Sequence, residues 1–320
     1  LKYAAGVDVG GTNIECGLLD ELGNVLFKRK YPTSPERGAG AILESIAVTL
    51  EQLREEAGIA AEDLEVIGLG IPGLVDPEAG VSVRAVNLNW NQVPVAAKLR
   101  ELTGKPVFID NDVRLYIYGE AIAGAGRGHD FVYGVTIGTG LAAAFVQRGE
   151  IHHGHRFMAG EIGHVPLDHV DFKCGCGQIG CLETIVSATG IAKQARTRIE
   201  QGEASLLTEW FADVNDIRSS DVSRACQEGD ELSRDVLAQT GRELGRALAW
   251  VVPTLSPDVI VIGGGGALAG EYIFEPMKEE LNNRILQDYR NHFAIKSAEL
   301  NDNAGIIGSA LWALHRNKQG

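Results

Sequence analysis

An aspartate, two glycines and a hydroxyl, Asp8-Val9-Gly10-Gly11-Thr12-Asn13, close the first apolar stretch of the chain. Glycine lets backbone N–H groups approach a phosphate closely, and Thr12 adds a donor. Asp8 can hold a cation that screens phosphate charge. A plain hairpin turn would use the same glycines, and taken alone it is the simpler reading. Thr136-Ile137-Gly138-Thr139-Gly140 repeats the chemistry between two further apolar runs. Gly263-Gly264-Gly265-Gly266 follows the run from Asp258 to Ile262. Its bare backbone offers a flat floor for a base or ribose, or else a flexible loop. Three such turns, each at the C-terminal end of an apolar strand, point to a nucleotide cleft. No G-x-x-x-x-G-K-[ST] occurs, so a P-loop is excluded. Gly68-x-Gly70-x-x-Gly73 matches the dinucleotide pattern in letters only. Pro72 and Pro77 stand where a helix would have to open, so this run is read as a loop.

Ile109-Asp110-Asn111-Asp112 falls where a strand gives way to a helix. A carboxylate there can cap the helix. With equal weight, Asp112 can be a general base that takes the proton from a hydroxyl attacking a phosphoryl group, while Asn111 orients that substrate. His164, Cys174, Cys176 and Cys181 form His-x9-Cys-x-Cys-x4-Cys. One imidazole and three thiolates suit a closed, structural zinc site. Gly175, Gly177 and Gly180 let the chain wrap around an ion, and three free buried cysteines are the weaker reading. Glu161 and Glu183 flank this cluster. A bound zinc would fix both carboxylates for hydrogen bonds to sugar hydroxyls, the alternative being two surface residues. His152, His153 and His155 are expected on an exposed loop, and Cys16 and Cys226 in the core.

Positioning these groups requires ordered elements. Residues 4–30 read as three sequential antiparallel strands with tight turns. Apolar spacing predicts a helix over 39–57, a buried strand over 64–71 and a helix over 93–102. A strand over 106–109 and a helix over 113–124 follow. A second cycle opens with strands over 131–137 and 141–146, joined by the Gly138-Thr139-Gly140 turn. Helices over 231–252 and 304–315, and a buried strand over 258–262, complete the pattern. Residues 149–180 read as an insertion with little regular structure. Two α/β halves, each opening with a glycine-turn hairpin, imply a duplicated two-domain fold with a cleft.

The 320 residues are 45% apolar and carry a formal charge of −14. A full core is therefore available, and nucleic acid or an anionic membrane is a poor partner. Forty glycines without a period exclude collagen. Five cysteines, three of them crowded together, have metal-site spacing instead of a secreted disulfide framework. No membrane span and no signal peptide is visible, and a cytoplasmic location is the expectation.

Taken together, these residues resemble the ROK family of sugar kinases, repressors and open reading frames. The matching features are Asp8–Asn13, Asp110-Asn111-Asp112, Gly138-Thr139-Gly140, Gly160-Glu161-Ile162-Gly163-His164, the run from Cys174 to Glu183, and Gly263–Gly266. Within the family, Asn87-Leu88-Asn89-Trp90, Ser187-Ala188-Thr189-Gly190 and the stretch from Asn301 to Gly305 look most like bacterial glucokinases. The resemblance implies an α/β, two-domain, actin-like ATPase (ribonuclease H-like) fold with an interdomain cleft. Residues 1–112 and 305–320 would form the small domain, and 113–304 the large one. It implies ATP-dependent transfer to the 6-hydroxyl of a hexose. Glucose comes first, with fructose, mannose, allose or an N-acetylhexosamine as alternatives.

Asp112 would be the base, with the sugar on Gly73, Asn87, Asn111, Asp112, Glu161, His164 and Glu183. ATP and Mg²⁺ would use Asp8, Gly10, Gly11, Thr12, Asn13, Gly138, Thr139 and Gly140, with adenosine near Gly264, Gly265 and Gly266. Structural Zn²⁺ would sit on His164, Cys174, Cys176 and Cys181, and the chain would form a homodimer. Two features depart from the family. Leu141-Ala142-Ala143-Ala144 stands where the family continues with valine and glycines, which adds methyls near the phosphates. Val113-Arg114-Leu115 follows Asp112, so Arg114 either pairs with the base and lowers its pKa or points to solvent. A sugar-binding relative without kinase activity is one alternative reading. A sugar-responsive repressor is another, but it needs a helix-turn-helix ahead of the first turn, and seven residues precede Asp8.

Overall fold

A computed structural model describes residues 2–319. The first sheet has the order β3-β2-β1-β4-β8. Its strands β1 (Tyr3–Val9), β2 (Asn13–Asp20) and β3 (Val25–Pro32) are the expected antiparallel run. Helix α1 (Gly38–Glu56) then leads to β4 (Leu64–Ile71), which pairs parallel with β1. Three short strands make a small separate sheet: β5 (Leu74–Asp76), β6 (Val81–Ala85) and β7 (Trp90–Val93). Gly68 and Gly70 therefore lie inside β4 instead of a loop, and after the bend at Pro72-Gly73 the chain enters β5, so no helix follows them. Helix α2 (Val95–Thr103) begins after Pro94, two residues later than its apolar pattern predicts. Strand β8 (Val107–Asn111), parallel to β4, passes directly into α3 (Asp112–Ala123).

The second sheet has the order β11-β10-β9-β12-β13. Its strands are β9 (Phe131–Ile137), β10 (Leu141–Gln147), β11 (Glu150–Ile151), β12 (Val259–Gly263) and β13 (Ala294–Ser297). Between β11 and β12 lie α4 (Ala188–Glu200), α5 (Leu207–Trp210), α6 (Ser219–Gln227) and α7 (Glu231–Leu255). Helix α8 (Glu271–Arg284) precedes β13, and α9 (Ala304–Gln319) ends the described chain.

The chain forms two compact units. The first holds Leu1–Val132, Ala144–Ala159 and Ala298–Gly320, and the second holds Tyr133–Ala143 and Gly160–Ser297. In the first unit both faces of the sheet are covered. Ala5, Val7 and Val9 of β1 pack in the core shared with α1 and α2, while Ala4 packs with Ile306, Ile307 and Ala310 of α9. This is the period-2 alternation of a strand buried on both sides. Glycine is required where α9 crosses. A Cβ at Gly6 would lie 1.9 Å from the Ile306 carbonyl oxygen, and one at Gly68 the same distance from that of Ser309. Close helix-on-sheet contact thus explains glycines that lie in neither a turn nor a loop. No described helix is long and apolar enough to cross a membrane.

Candidate active site and metal centre

In the first unit, β1, β4 and β8 end together at one edge of the sheet. The register places Asp8 opposite Gly70, and Gly70 opposite Asp110, in a single row. Just past this row the chain turns at Gly10–Asn13 on one strand and opens α3 at Asp112 on another. A Cβ on Gly70 would sit 3.2 Å from the Asp112 Cα, tighter than ordinary contact, so a side chain there would press on the helix start. The glycine turn is closed by Gly10 N–H donating to Asn13 O at 2.9 Å, and the Thr33 hydroxyl donates to Gly10 O at 2.6 Å. A cavity of about 240 Å³ opens on it, lined by Asp8, Gly10–Asn13, Glu15 and Lys30. Asn87 lies against Gly11, whose Cβ would be 3.1 Å from that of Asn87.

Asp8 senses its neighbours. Burial, then the Asp112 charge, then that of Glu15 push its carboxyl up to about 7. Burial acts against the charged form, and like charges add to that effect. A site that crowds carboxylates in this way fits a divalent cation, the hard oxygen-bound kind that accompanies phosphates.

At the start of α3, Asn111 and Asp112 make different contacts. Asn111 is the helix cap, its Oδ1 accepting from Arg114 N–H at 3.1 Å. Its Nδ2 donates to Gly73 O at 3.0 Å, which leaves one amide hydrogen uncommitted to these two contacts. Asp112 is the first helical residue, half-buried, and its Oδ1 accepts from Val113 N–H at 2.9 Å. Capping therefore belongs to Asn111. The expectation that Arg114 points to solvent is corrected. It is buried and pairs with Asp110. His153 is corrected too. It is partly buried, with Nε2 2.6 Å from Asp110 Oδ2, while His152 and His155 are exposed. The fully buried carboxylate of Asp110 attracts both side chains, since an ionised group taken from water must find partners.

In the second unit, the turn Gly138–Gly140 joins β9 to β10. Gly138 O accepts from Ala188 N–H at 2.8 Å, and Thr139 O from the Thr189 hydroxyl at 2.8 Å, which ties the turn to the start of α4. The four-glycine loop packs beside it. Cβ atoms on Gly264 and Gly266 would lie 2.6 Å from Ile137 O and 2.4 Å from Ile137 Cγ2, whereas Gly265 has open space. Two of the three predicted glycine turns are thus neighbours in this unit. Ala143 and Ala144 are buried in β10, so of the three alanine methyls only that of Ala142 is partly exposed.

The predicted metal ligands converge. One donor atom from each of His164, Cys174, Cys176 and Cys181 lies within 4.8 Å of all the others. Cys176 Sγ is 3.6 Å from Cys181 Sγ, and Cys174 Sγ is 3.7 Å from His164 Nδ1. A tetrahedron with bonds of about 2.3 Å has edges of roughly 3.8 Å, so the donor set fits zinc. Glu183 joins this cluster to the glycine turn. Its Oε1 accepts from the Cys174 thiol at 2.8 Å, and its Oε2 accepts from Leu141 N–H at 3.4 Å. His164 Nε2 faces the other way, 3.8 Å from Glu161 Oε2. Cys16 and Cys226 are buried core thiols, and burial pushes Cys16 up to about 12.

Lys30 and Glu15 of the cavity were not anticipated from sequence. They face each other on the β2–β3 hairpin, and counting back from its turn would have found them.

The model of the ROK family matches residues 4–316. This chain belongs to the ROK family. A ROK relative, a glucokinase of Halalkalibacterium halodurans, is 35% identical over 96% of this chain and 93% of its own. The structure of a ROK glucokinase from Streptomyces griseus in complex with glucose and AMPPNP superposes with a TM-score of 0.82 at 30% identity. It covers 99% of this chain and 100% of that one. The fold is thus the actin-like α/β fold that the family resemblance implies. The family also includes repressors. The DNA-binding transcriptional repressor Mlc of Escherichia coli is 30% identical over 78% of this chain and 61% of its own.

Proposed function

We propose that this ROK protein is an ATP-dependent hexose kinase that phosphorylates the 6-hydroxyl, with glucose as its first substrate. The observation that carries the reading is the row Asp8-Gly70-Asp110 in the first unit. It sets a phosphate-type turn and the Asp112 carboxylate at one sheet edge, close enough for the charge of Asp112 to act on Asp8.

In this reading Asp112 takes the proton from the attacking hydroxyl, and the remaining Nδ2 hydrogen of Asn111 orients the same sugar. Glu161, His164 and Glu183 hold further hydroxyls, with Gly73 and Asn87 as additional contacts. Backbone N–H groups of Gly10–Asn13 and Gly138–Gly140 cradle phosphates, and Gly264–Gly266 floors the adenosine. Mg²⁺, held by Asp8, would spread the phosphate charge. Zinc on His164, Cys174, Cys176 and Cys181 would be structural. Nδ1 of His164 faces the thiolates, so Nε2 stays available to a hydroxyl. Glu183 would then keep Leu141 N–H on one oxygen while the ion holds its loop.

The test is a hexose panel with Mg-ATP, followed by coupled ADP detection and by phosphorus NMR of the product. Glucose 6-phosphate is expected. Calorimetric sugar binding with no ADP from any hexose would instead support the regulator reading that the likeness to Mlc offers.

A further inference from the structure

Arg114 belongs to a buried knot of charge that none of the catalytic or metal roles above uses. Asp110 is fully buried, and each of its oxygens is occupied. Oδ1 accepts from Asn111 N–H at 2.7 Å and from Arg114 Nη1 at 3.3 Å, and Oδ2 meets His153 Nε2 at 2.6 Å. The other arm of the guanidinium, Nη2, donates to Phe157 O and, at 3.2 Å, to Ala159 O. Both of these carbonyls belong to the loop after β11. That loop holds two consecutive non-glycine residues in the left-handed region, Arg156 at φ 55° and Phe157 at φ 59°. Such backbone persists only where its surroundings hold it. Here the holders are Arg114, through the Phe157 carbonyl, and His153, whose ring meets that of Phe157 edge-on at 5.9 Å and 84°.

The knot therefore has two ends. One is the backbone of Asn111 and the first turn of α3, where Asp112 projects. The other is the run 157–159, which leads in sequence straight to Gly160 and Glu161. Arginine is suited to this task because its planar fork presents donors in fixed directions to three acceptors at once. A lysine ammonium is a single point charge and cannot span them.

We propose that Arg114 is a positioning residue for phosphoryl transfer. It clamps Asp110 and the 157–159 carbonyls together, so that the Asn111–Asp112 helix start is held in one geometry. The inference rests on the reading of Asp112 as the base. It differs from a purely structural role in a checkable way, because its effect must pass through Asp112.

The experiment measures kcat and KM for glucose and ATP, together with melting temperature, in the wild type, Arg114→Lys, Arg114→Met, Asp112→Asn and the two Arg114 changes combined with Asp112→Asn. Arg114→Lys keeps the charge beside Asp110 and guards against a chain that fails to fold when the pair is broken. The expected result is a ~10- to 100-fold fall in kcat for Arg114→Lys, the scale of a displaced reacting group, with KM for ATP within twofold of wild type. On the Asp112→Asn background the same change should lower kcat no further. Three results overturn the inference alone: kcat unchanged in Arg114→Lys, losses that multiply in the double variant, or a fall in kcat that tracks melting temperature across the series. A wild-type chain that forms no hexose-dependent ADP overturns the kinase reading and this inference with it. Activity that survives Asp112→Asn rejects Asp112 as the base, and the inference also falls.

Discussion

Asp112 sits at the first position of α3, behind the asparagine that caps the helix, and its Oδ1 accepts from Val113 N–H. If its role is proton transfer, its loss shows first in turnover. Asp112→Ala should therefore lower kcat by ~10²–10⁴-fold, the usual contribution of general-base help. Calorimetric affinity for the sugar should change far less. Asp8 makes a different prediction, because burial and the charges of Asp112 and Glu15 hold its pKa near 7. A carboxyl raised in the folded state contributes stability that is fully present below its unfolded pKa and is lost as pH rises through the folded one. In denaturant titrations without metal, Asp8→Asn should match wild type near pH 4 and become the more stable protein by pH 8. Equal gaps at both pH values would contradict this. The chemistry-bearing residues could be read from the sequence because few structural roles call for their types at those spacings. The Asp110–Arg114–His153 knot could not. Nothing in the local pattern shows that a histidine about forty residues away in sequence will share a carboxylate with an arginine one turn into a helix.

Among the elements, α9 and α3 carry the tightest demand. A Cβ at Gly308 would fall 1.7 Å from the Leu115 carbonyl oxygen, and one at Gly119 would lie 2.6 Å from that of Ala304. Backbone cannot yield as a flexible side chain would. Gly308→Ala should thus cost about 3 kcal/mol in urea unfolding, at the upper end of overpacking effects, and a cost under about 1 kcal/mol would show that the two helices can separate freely. Strands β1, β2, β4, β9, β10 and β12 were legible because their apolar runs are long and bounded by glycine turns, and β3 because it follows the tight turn after β2. Strands β5, β6 and β7 were not, since each has only three to five residues and Pro77 interrupts the stretch. Helix α4 also escaped. Its first turn holds the low-propensity pair Thr189-Gly190, and its clearest signal is the Ser187 cap, whose Oγ accepts from Gly190 N–H at 2.9 Å. Strand β13 is a four-residue edge strand with mostly half-exposed residues, too short for alternation to register.

For the whole molecule, the glycine-rich composition has two distinct sources. Some glycines form the turns at Gly10, Gly138 and Gly264, and others let α9 lie directly on β1 and β4. The sequence made the first group legible, whereas the second depends on which helix covers which strand and emerges only from the packing. The metal centre has a prediction at this scale. Elemental analysis of the purified chain should find one zinc per molecule. Chelation should lower both the melting temperature and the sugar affinity, because the segments that carry His164 and Glu183 lose the ion that ties them together. Zinc-free protein with unchanged sugar affinity would separate the metal cluster from the sugar site. The central claim, that one carboxylate in the first unit activates a hexose hydroxyl, is tested most directly by single-turnover phosphorylation of glucose by wild type and Asp112→Asn under saturating Mg-ATP. The account predicts formation of glucose 6-phosphate by the wild type and a rate at least ~100-fold lower in the variant. Equal rates in the two proteins would contradict it.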